Sequence, residues 1–253
     1  MTIQHDFKDL SVLITGAGRG LGRSVAAKLA GCGATVGLVD IDAVSCDAAM
    51  AHIRDTGGRA FAYTTDVSDR SAFADTAARF AAQLGRIDAV VNNAMLLRYE
   101  PIENVTDEVL ERMLGIGIKG AVWGVQALLR HMDAERGGAI VNMASPVAER
   151  GYPNTAVYSL VKGAIVTLTK TLSAELGPRG VRVNAVAPGS VPTPGAMGLN
   201  DEAEYARRAR TIPLRRLGHE DDNAEAVAWL LSREAAFING EILHVDGGIA
   251  AAG

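Results

Sequence analysis

The feature of this chain that most limits its fold is an alternation running from end to end. Short apolar runs at 11–15 ("SVLIT"), 34–40 ("ATVGLVD"), 60–66 ("AFAYTTD"), 87–94 ("IDAVVNNA"), 138–145 ("GAIVNMAS"), 181–189 ("VRVNAVAPG") and 241–248 ("EILHVDGG") read as strands. Stretches of helical periodicity separate them, near 20–31, 42–56, 69–84, 106–132, 155–176 and 221–231. Runs apolar on both faces need cover on both faces, and helices of this length supply it between parallel strands. The pattern predicts an α/β fold, a single doubly wound parallel sheet of about seven strands flanked by helices. A length of 253 residues suits one such unit, and no Pro-, Ser- or Gly-rich linker divides it, so 1–253 is read as one domain. The segment 190–212 fits no strand and reads as an insertion that caps the carboxyl edge of the sheet over a substrate.

Composition matters mainly for what it excludes. A net charge of −4 argues against nucleic acid or an anionic membrane as partner. The "RRAR" at 207–210 is flanked by Glu202 and Glu204 and reads as a solvated helix face. Cys32 and Cys46 lack metal-ligand or redox-motif spacing, so no metal is expected and reduced thiols fit a cytoplasmic chain. No stretch approaches the ~18 apolar residues of a membrane span, and the first residues lack the apolar run of a signal peptide.

The turn after the first strand, "TGAGRGLG" at 15–22, opens the first helix. Glycines at 16, 20 and 22 let the backbone turn tightly and approach a pyrophosphate, whose charge a helix N-terminus favours. That makes the sheet Rossmann-like and places Gly16, Arg19, Gly20 and Leu21 against a dinucleotide. The second strand ends in Asp40, whose carboxylate can accept both ribose hydroxyls and repel a 2′-phosphate. Arg19 pulls the other way, since a guanidinium could reach that phosphate. NAD is expected over NADP.

In "SPVAERGYPNTAVYSLVK" (145–162), Tyr158 and Lys162 are four apart on one helix and share a face, toward which Ser145 can point from a strand end. A phenol ordinarily ionises near ~10, and an adjacent ammonium is expected to lower that value. The hydroxyl of Ser145 would complement charge developing on a substrate oxygen. Such a set suits alcohol oxidation or ketone reduction, with a nicotinamide carrying the hydride.

Taken together, these motifs resemble the classical short-chain dehydrogenase/reductase (SDR) family over roughly 8–248. The resemblance rests on "TGAGRGLG", Asp66-Val67, "NNAM" (92–95), the Ser145–Tyr158–Lys162 set, "PGSVPT" (188–193) and "HVDGG". It implies that Ser145 polarises the substrate, that Tyr158 is the acid/base, and that Lys162 tunes Tyr158 and bonds the nicotinamide ribose. It also implies cofactor contacts from Asp66, Val67, Asn93, Pro188, Gly189, Val191 and Thr193, and a homotetramer.

Two positions depart from the family pattern. The stretch "ERMLGIGIKGAVWGVQALL" (111–129) carries glycines at 115, 117, 120 and 124, each costing a helix ~1 kcal/mol relative to alanine. Gly117 stands where the family pattern has an asparagine that kinks the helix and holds a relay water. The run is read as a bent wall of the catalytic site; a weak helix, or reduced activity, are the alternatives. An asparagine restored at 117 is expected to be tolerated if the kink is kept. Met95 replaces a pattern glycine and is expected at the edge of the nicotinamide or substrate pocket, with Val147, Tyr152 and Met197 as further substrate neighbours beside Ser145.

The leading expectation is an NAD-dependent oxidoreductase acting on a secondary alcohol or ketone, cyclic or otherwise hydrophobic. A 3-oxoacyl-thioester reductase using NADPH is the related alternative. A non-catalytic nucleotide-binding sensor or partner subunit is the alternative of another class.

Overall fold

The computed structural model describes residues 5–196 and 201–252. Its centre is a seven-stranded sheet in the order β3-β2-β1-β4-β5-β6-β7, with every pairing parallel. The strands are β1 (Ser11–Thr15), β2 (Thr35–Asp40), β3 (Arg59–Thr64), β4 (Ala89–Asn92), β5 (Gly138–Met143), β6 (Val181–Pro188) and β7 (Ile242–Val245). The connecting helices are α1 (Gly20–Gly31), α2 (Ala43–Asp55), α3 (Arg70–Leu84), α4 (Asp107–Leu114), α5 (Gly120–His131), α6 (Ala156–Leu176), α7 (Glu202–Thr211) and α8 (Glu220–Leu231).

The continuous apolar runs of the strands are explained by cover on both sides. Val12 and Ile14 of β1 pack on one face with Val36, Leu38, Val91 and Val141, under α1, α2 and α8. Leu13 points the other way, into Val39, Val90, Ile140 and the rings of Phe73 and Phe80. This is the period-2 alternation of a pleated strand with two buried faces. A fully buried leucine or phenylalanine of this kind contributes ~1.5–3 kcal/mol.

Connections run to opposite sides of β1, so the strand order reverses between β1 and β4. A crevice opens at the carboxyl ends where neighbouring connections leave in opposite directions, the usual ligand site of such sheets. Thr15, Asp40, Asn92 and Pro188 end four of the strands there, and Ser145 follows β5.

Two elements differ from the sequence expectation. The stretch 106–132 is not one helix: α4 and α5 are joined by a π-helical turn, Gly115–Lys119. Within 190–212, where only 207–210 reads as a helix face, ten residues form α7, started by the Asp201 carboxylate accepting the Glu204 amide, and Arg208 on it is half-buried rather than solvated.

Candidate active site

The loop after β1 is built for close approach. Gly16 and Gly20 have φ of 63° and 58°, the left-handed region glycine enters without strain. A Cβ on Gly22 would collide with the Gly16 carbonyl. Asn93 clamps the loop from β4, donating from Nδ2 to the Thr15 and Gly16 carbonyls at 2.9 and 3.0 Å. The N-termini of α2, α3 and α8 are capped by Asp42, Asp69 and His219, whereas Arg19 at the start of α1 makes no capping bond. The first amides of α1 are thus left for an outside acceptor. Leu21 follows in that first turn, and Thr193 lies over Gly20, 3.5 Å from where its Cβ would be. The chain after β6 thus folds back onto the glycine loop. Gly189 is held by the Val245 carbonyl at 3.0 Å, and Val191 is buried against Gly218.

Asp40 Oδ2 accepts the Gly18 amide at 2.9 Å and Oδ1 the Asp42 amide at 3.1 Å. Its carboxylate is therefore fixed beside the loop with lone pairs to spare. The sequence reading missed Asp42, two residues on. Bonds from the Ser45 hydroxyl and amide hold its carboxyl below the ordinary range, with Arg19 adding a smaller electrostatic pull. Asp66 is engaged by Arg112 at 2.8 Å and by the Ser68 hydroxyl at 2.7 Å. Burial alone would raise its pKa; these bonds outweigh it and lower it. Val67, next to it, is buried against Gly120.

On the catalytic side, Ser145 is buried, extended, and starts a short turn at Pro146–Ala148. Lys162 is 5% exposed and donates to the Met143 carbonyl at 2.6 Å, with its Nζ 5.6 Å from the centre of the Tyr158 ring. The three predicted catalytic groups therefore do converge. A ladder of buried amides fixes their scaffold: Asn92 Nδ2 donates to Asn142 Oδ1, and Asn142 Nδ2 to the Thr169 hydroxyl, both at 2.9 Å. It ties β4, β5 and α6 together two turns from Lys162.

Their electrostatics differ from expectation. Burial raises the Tyr158 phenol above its ordinary 10.0, neighbouring Tyr99 adds to this, and the hydrogen bond with the Ser145 hydroxyl works the other way. Burial also lowers Lys162 to about 8. Lys162 is turned to a carbonyl rather than to the phenol oxygen, so among the chain's own groups desolvation prevails over the expected lowering of Tyr158.

The glycine-rich wall answers to close contacts. A Cβ at Gly124 would collide with Asn92 Oδ1, and one at Gly120 would stand 3.0 Å from Val67 Cγ2. At Gly117 it would collide with Val161 Cγ1 and stand 2.9 Å from Met95 Sδ. The bent wall of the sequence reading is the π turn itself, a form often found at functional sites. The asparagine expected to be tolerated at 117 has no room there: the β-branched Val161 is stiff, so backbone must move.

Met95 has its sulfur toward that notch, within the apolar cluster of Met113, Val157, Val161 and Tyr158. Val147 is half-buried, its amide 3.5 Å from Ser145 Oγ. Tyr152 is exposed, with the Arg150 guanidinium 6.0 Å from its ring. Met197 lies outside the described residues. Sequence reasoning also missed Tyr99, whose ring meets that of Tyr158 edge-on with centroids 5.5 Å apart. An isolated tyrosine in a loop carries no spacing signal, and only the fold brings it to Tyr158.

The family model described as enoyl-(acyl carrier protein) reductase matches residues 16–250. The solved structure of a short-chain dehydrogenase/reductase from Serratia marcescens is similar with a TM-score of 0.91, at 29% identity over 97% of this chain and 100% of that one. The chain belongs to the short-chain dehydrogenase/reductases. Among its relatives, the cis-4-hydroxycyclohexanecarboxylate dehydrogenase of Sinomonas cyclohexanicum is 37% identical over 97% of this chain and 98% of its own. The 3-oxoacyl-[acyl-carrier-protein] reductase FabG of Thermotoga maritima is 32% identical over 94% and 96%.

A short-chain dehydrogenase/reductase is an oxidoreductase that binds a nicotinamide cofactor and acts on CH–OH groups. The residues of this one fit that cofactor: a glycine cradle in which Gly16, Gly18 and Gly22 have no space for side chains, an uncapped helix N-terminus for the pyrophosphate, and a carboxylate beside the loop for the ribose. No helix among the described residues is long and apolar enough to cross a membrane.

Proposed function

We propose that this chain is an NAD-linked oxidoreductase interconverting a secondary alcohol and a ketone on a cyclic or otherwise hydrophobic substrate. The carrying observation is the Tyr158 phenol, set beside the Ser145 hydroxyl and Lys162 among the apolar side chains of Met95, Leu96 and Val157. A nicotinamide cofactor held by the glycine loop at 16–22 would supply the hydride chemistry. In reduction, the Ser145 hydroxyl donates a hydrogen bond to the substrate carbonyl oxygen, and Tyr158 gives that oxygen its proton as negative charge develops on it. The Lys162 ammonium then steadies the phenolate that remains. In oxidation the same groups act in reverse. Burial keeps Tyr158 protonated at neutral pH, which favours reduction there.

Asp40 and Asp42 support NAD over NADP, since two carboxylates beside the adenosine ribose disfavour a 2′-phosphate. The described parts of 190–212, residues 190–196 and the segment with α7, are the proposed substrate cap. The Sinomonas relative, named for a cyclic hydroxy acid, supports a ring in the substrate. The Thermotoga relative favours a second reading, a 3-oxoacyl-thioester reductase. A homotetramer is also proposed: Leu160 of α6 is 57% exposed and Phe237, shortly before β7, is fully exposed. Sedimentation as a monomer would remove that assembly.

Following NADH absorbance with a panel of cyclic and aryl alcohols tests the main reading. Turnover of cyclic alcohols with NAD is expected. Activity confined to 3-oxoacyl thioesters with NADPH would install the second reading. Normal NADH binding without turnover of anything in the panel would instead favour a nucleotide sensor.

A further inference from the structure

The phenol assigned to proton transfer stands in the least secure part of its helix. Tyr158 is the third residue of α6, within the first turn, whose amides have no partners inside the helix. Thr155, which starts α6, makes no capping bond: its hydroxyl donates to the Tyr152 carbonyl at 2.8 Å and lies 3.0 Å from the Ser159 hydroxyl. Lys162, one turn on, is anchored to the Met143 carbonyl at 2.6 Å. Tyr158 has no such anchor, since among the described residues no backbone group bonds its hydroxyl. The ring torsion of a tyrosine is also soft, so packing must set where the oxygen points.

That packing comes from another part of the chain. Tyr99, in the loop after β4, sets its ring against that of Tyr158 with centroids 5.5 Å apart and planes at 61°, the edge-to-face arrangement aromatic pairs prefer. Lys162 Nζ lies 5.6 Å from the centre of the same ring. Met95, Leu96 and Val157 belong to the apolar cluster around it.

Tyr99 is itself held. The amide of the next residue, Glu100, donates to the Asn154 carbonyl at 2.8 Å. Asn154 immediately precedes the start of α6 and has a φ of 64°, a left-handed conformation that asparagine adopts more readily than most residues. Pro101 follows Glu100 and restricts it to extended backbone. One bond thus clasps the loop after β4 to the segment entering α6, four residues before Tyr158, and Tyr99 sits beside the clasp.

We propose that Tyr99 is a positioning residue for Tyr158: held by the Glu100–Asn154 clasp, its ring bears on that of Tyr158 and keeps the phenol oxygen in place for the substrate oxygen. The oxygen lies at the far tip of the ring, so a tilt displaces it more than any other ring atom. A misplacement of ~1 Å at a reacting group can cost about 100-fold in rate. The inference rests on the oxidoreductase reading for what the phenol acts on.

Two measurements on the full chain test it. The first needs no turnover. In protein carrying 13C at the tyrosine ε carbons, with Tyr158 identified by its loss in Tyr158→Phe, a held ring gives separate signals for its two edges and a freely flipping ring gives one. Wild type and Tyr99→Phe, which keeps the ring contact, are expected to show two signals, and Tyr99→Leu one. The second follows oxidation of cyclohexanol by NAD. Tyr99→Leu is expected to lower kcat by about 10- to 100-fold with KM within about twofold of wild type, and Tyr99→Phe to keep most of the wild-type kcat. Tyr99→Met, flexible enough to refill the space, takes the place of Tyr99→Leu should that variant not fold. One averaged signal in wild type, or two in Tyr99→Leu, overturns the positioning role. So does a raised KM at unchanged kcat, which would make Tyr99 a wall of the substrate pocket. The expected signals without turnover of any alcohol by wild type remove the oxidoreductase reading alone.

Discussion

The sulfur of Met95 lies in the space that a side chain at Gly117 would need, 2.9 Å from the position of the missing Cβ. The two departures from the family pattern are therefore one local rearrangement. Where the pattern pairs a glycine with an asparagine, this chain pairs a methionine with a glycine, and the thioether contributes to the apolar packing behind Tyr158. Val161 closes the other side of the notch.

Gly117→Ala should destabilise the protein although alanine is the better helix former. Propensity gains ~1 kcal/mol, but overpacking against a stiff valine costs ~1–3 kcal/mol. Val161→Ala, which removes the colliding Cγ1, should rescue the double variant more than Met95→Ala does. Thermal unfolding of wild type, the three single variants and the two double variants would check this. Strictly additive midpoint changes would mean that the three side chains do not share the space.

Much of this was legible in the sequence because it depends on local chemistry. The strands could be read since apolar runs covered on both faces leave few alternatives, and the Tyr158–Lys162 pairing follows from helical spacing alone. The bend at Gly115–Lys119 was legible from its glycines, but what occupies the space beside Gly117 was not, because Val161 Cγ1 and Met95 Sδ come from residues far off in the chain. Nor was the direction of the Tyr158 shift, which depends on how deeply neighbouring elements bury the phenol. Asp42 was hidden by its other role as a helix cap, and Tyr99 meets Tyr158 only once the loop after β4 folds back.

Tyr158→Phe should lower turnover by at least ~100-fold, the usual scale of lost acid/base catalysis, with NADH affinity unchanged. In wild type the phenol is raised above its ordinary value, so oxidation, which needs the phenolate, should climb as pH increases from 7 to 10. Reduction, which needs the phenol, should be near its maximum at neutral pH. Initial rates in both directions across that range give the readout, and an oxidation rate that falls with pH would contradict the assignment.

Lys162 should leave a signature in stability. Its pKa is lowered from 10.5 to about 8 by burial, so the folded protein holds this proton less tightly than the unfolded chain. Below pH 8 lysine is charged in both states and its burial cost is fully present; as pH rises from about 8 to 10.5 that cost disappears. The stability of Lys162→Met relative to wild type should therefore be greatest near neutral pH and decline through this window. Denaturant unfolding of both apo proteins at pH 7, 9 and 10.5 measures it, and a pH-independent difference would mean the ammonium is not desolvated.

Cofactor choice should depend on two carboxylates. Asp40→Asn keeps an oxygen for the Gly18 amide but removes the charge, so the loop should survive while the penalty on a 2′-phosphate falls. The ratio of kcat/KM with NADP to that with NAD should rise by about tenfold, worth ~1.4 kcal/mol. Asp42→Asn on that background should raise it further, because Arg19 loses its acidic neighbour and can turn to the phosphate. Asparagine keeps the cap on α2 but loses the favourable charge at the helix N-terminus, a small cost that would appear in thermal stability and not in the ratio. A ratio unmoved by both changes would place the discrimination away from the end of β2.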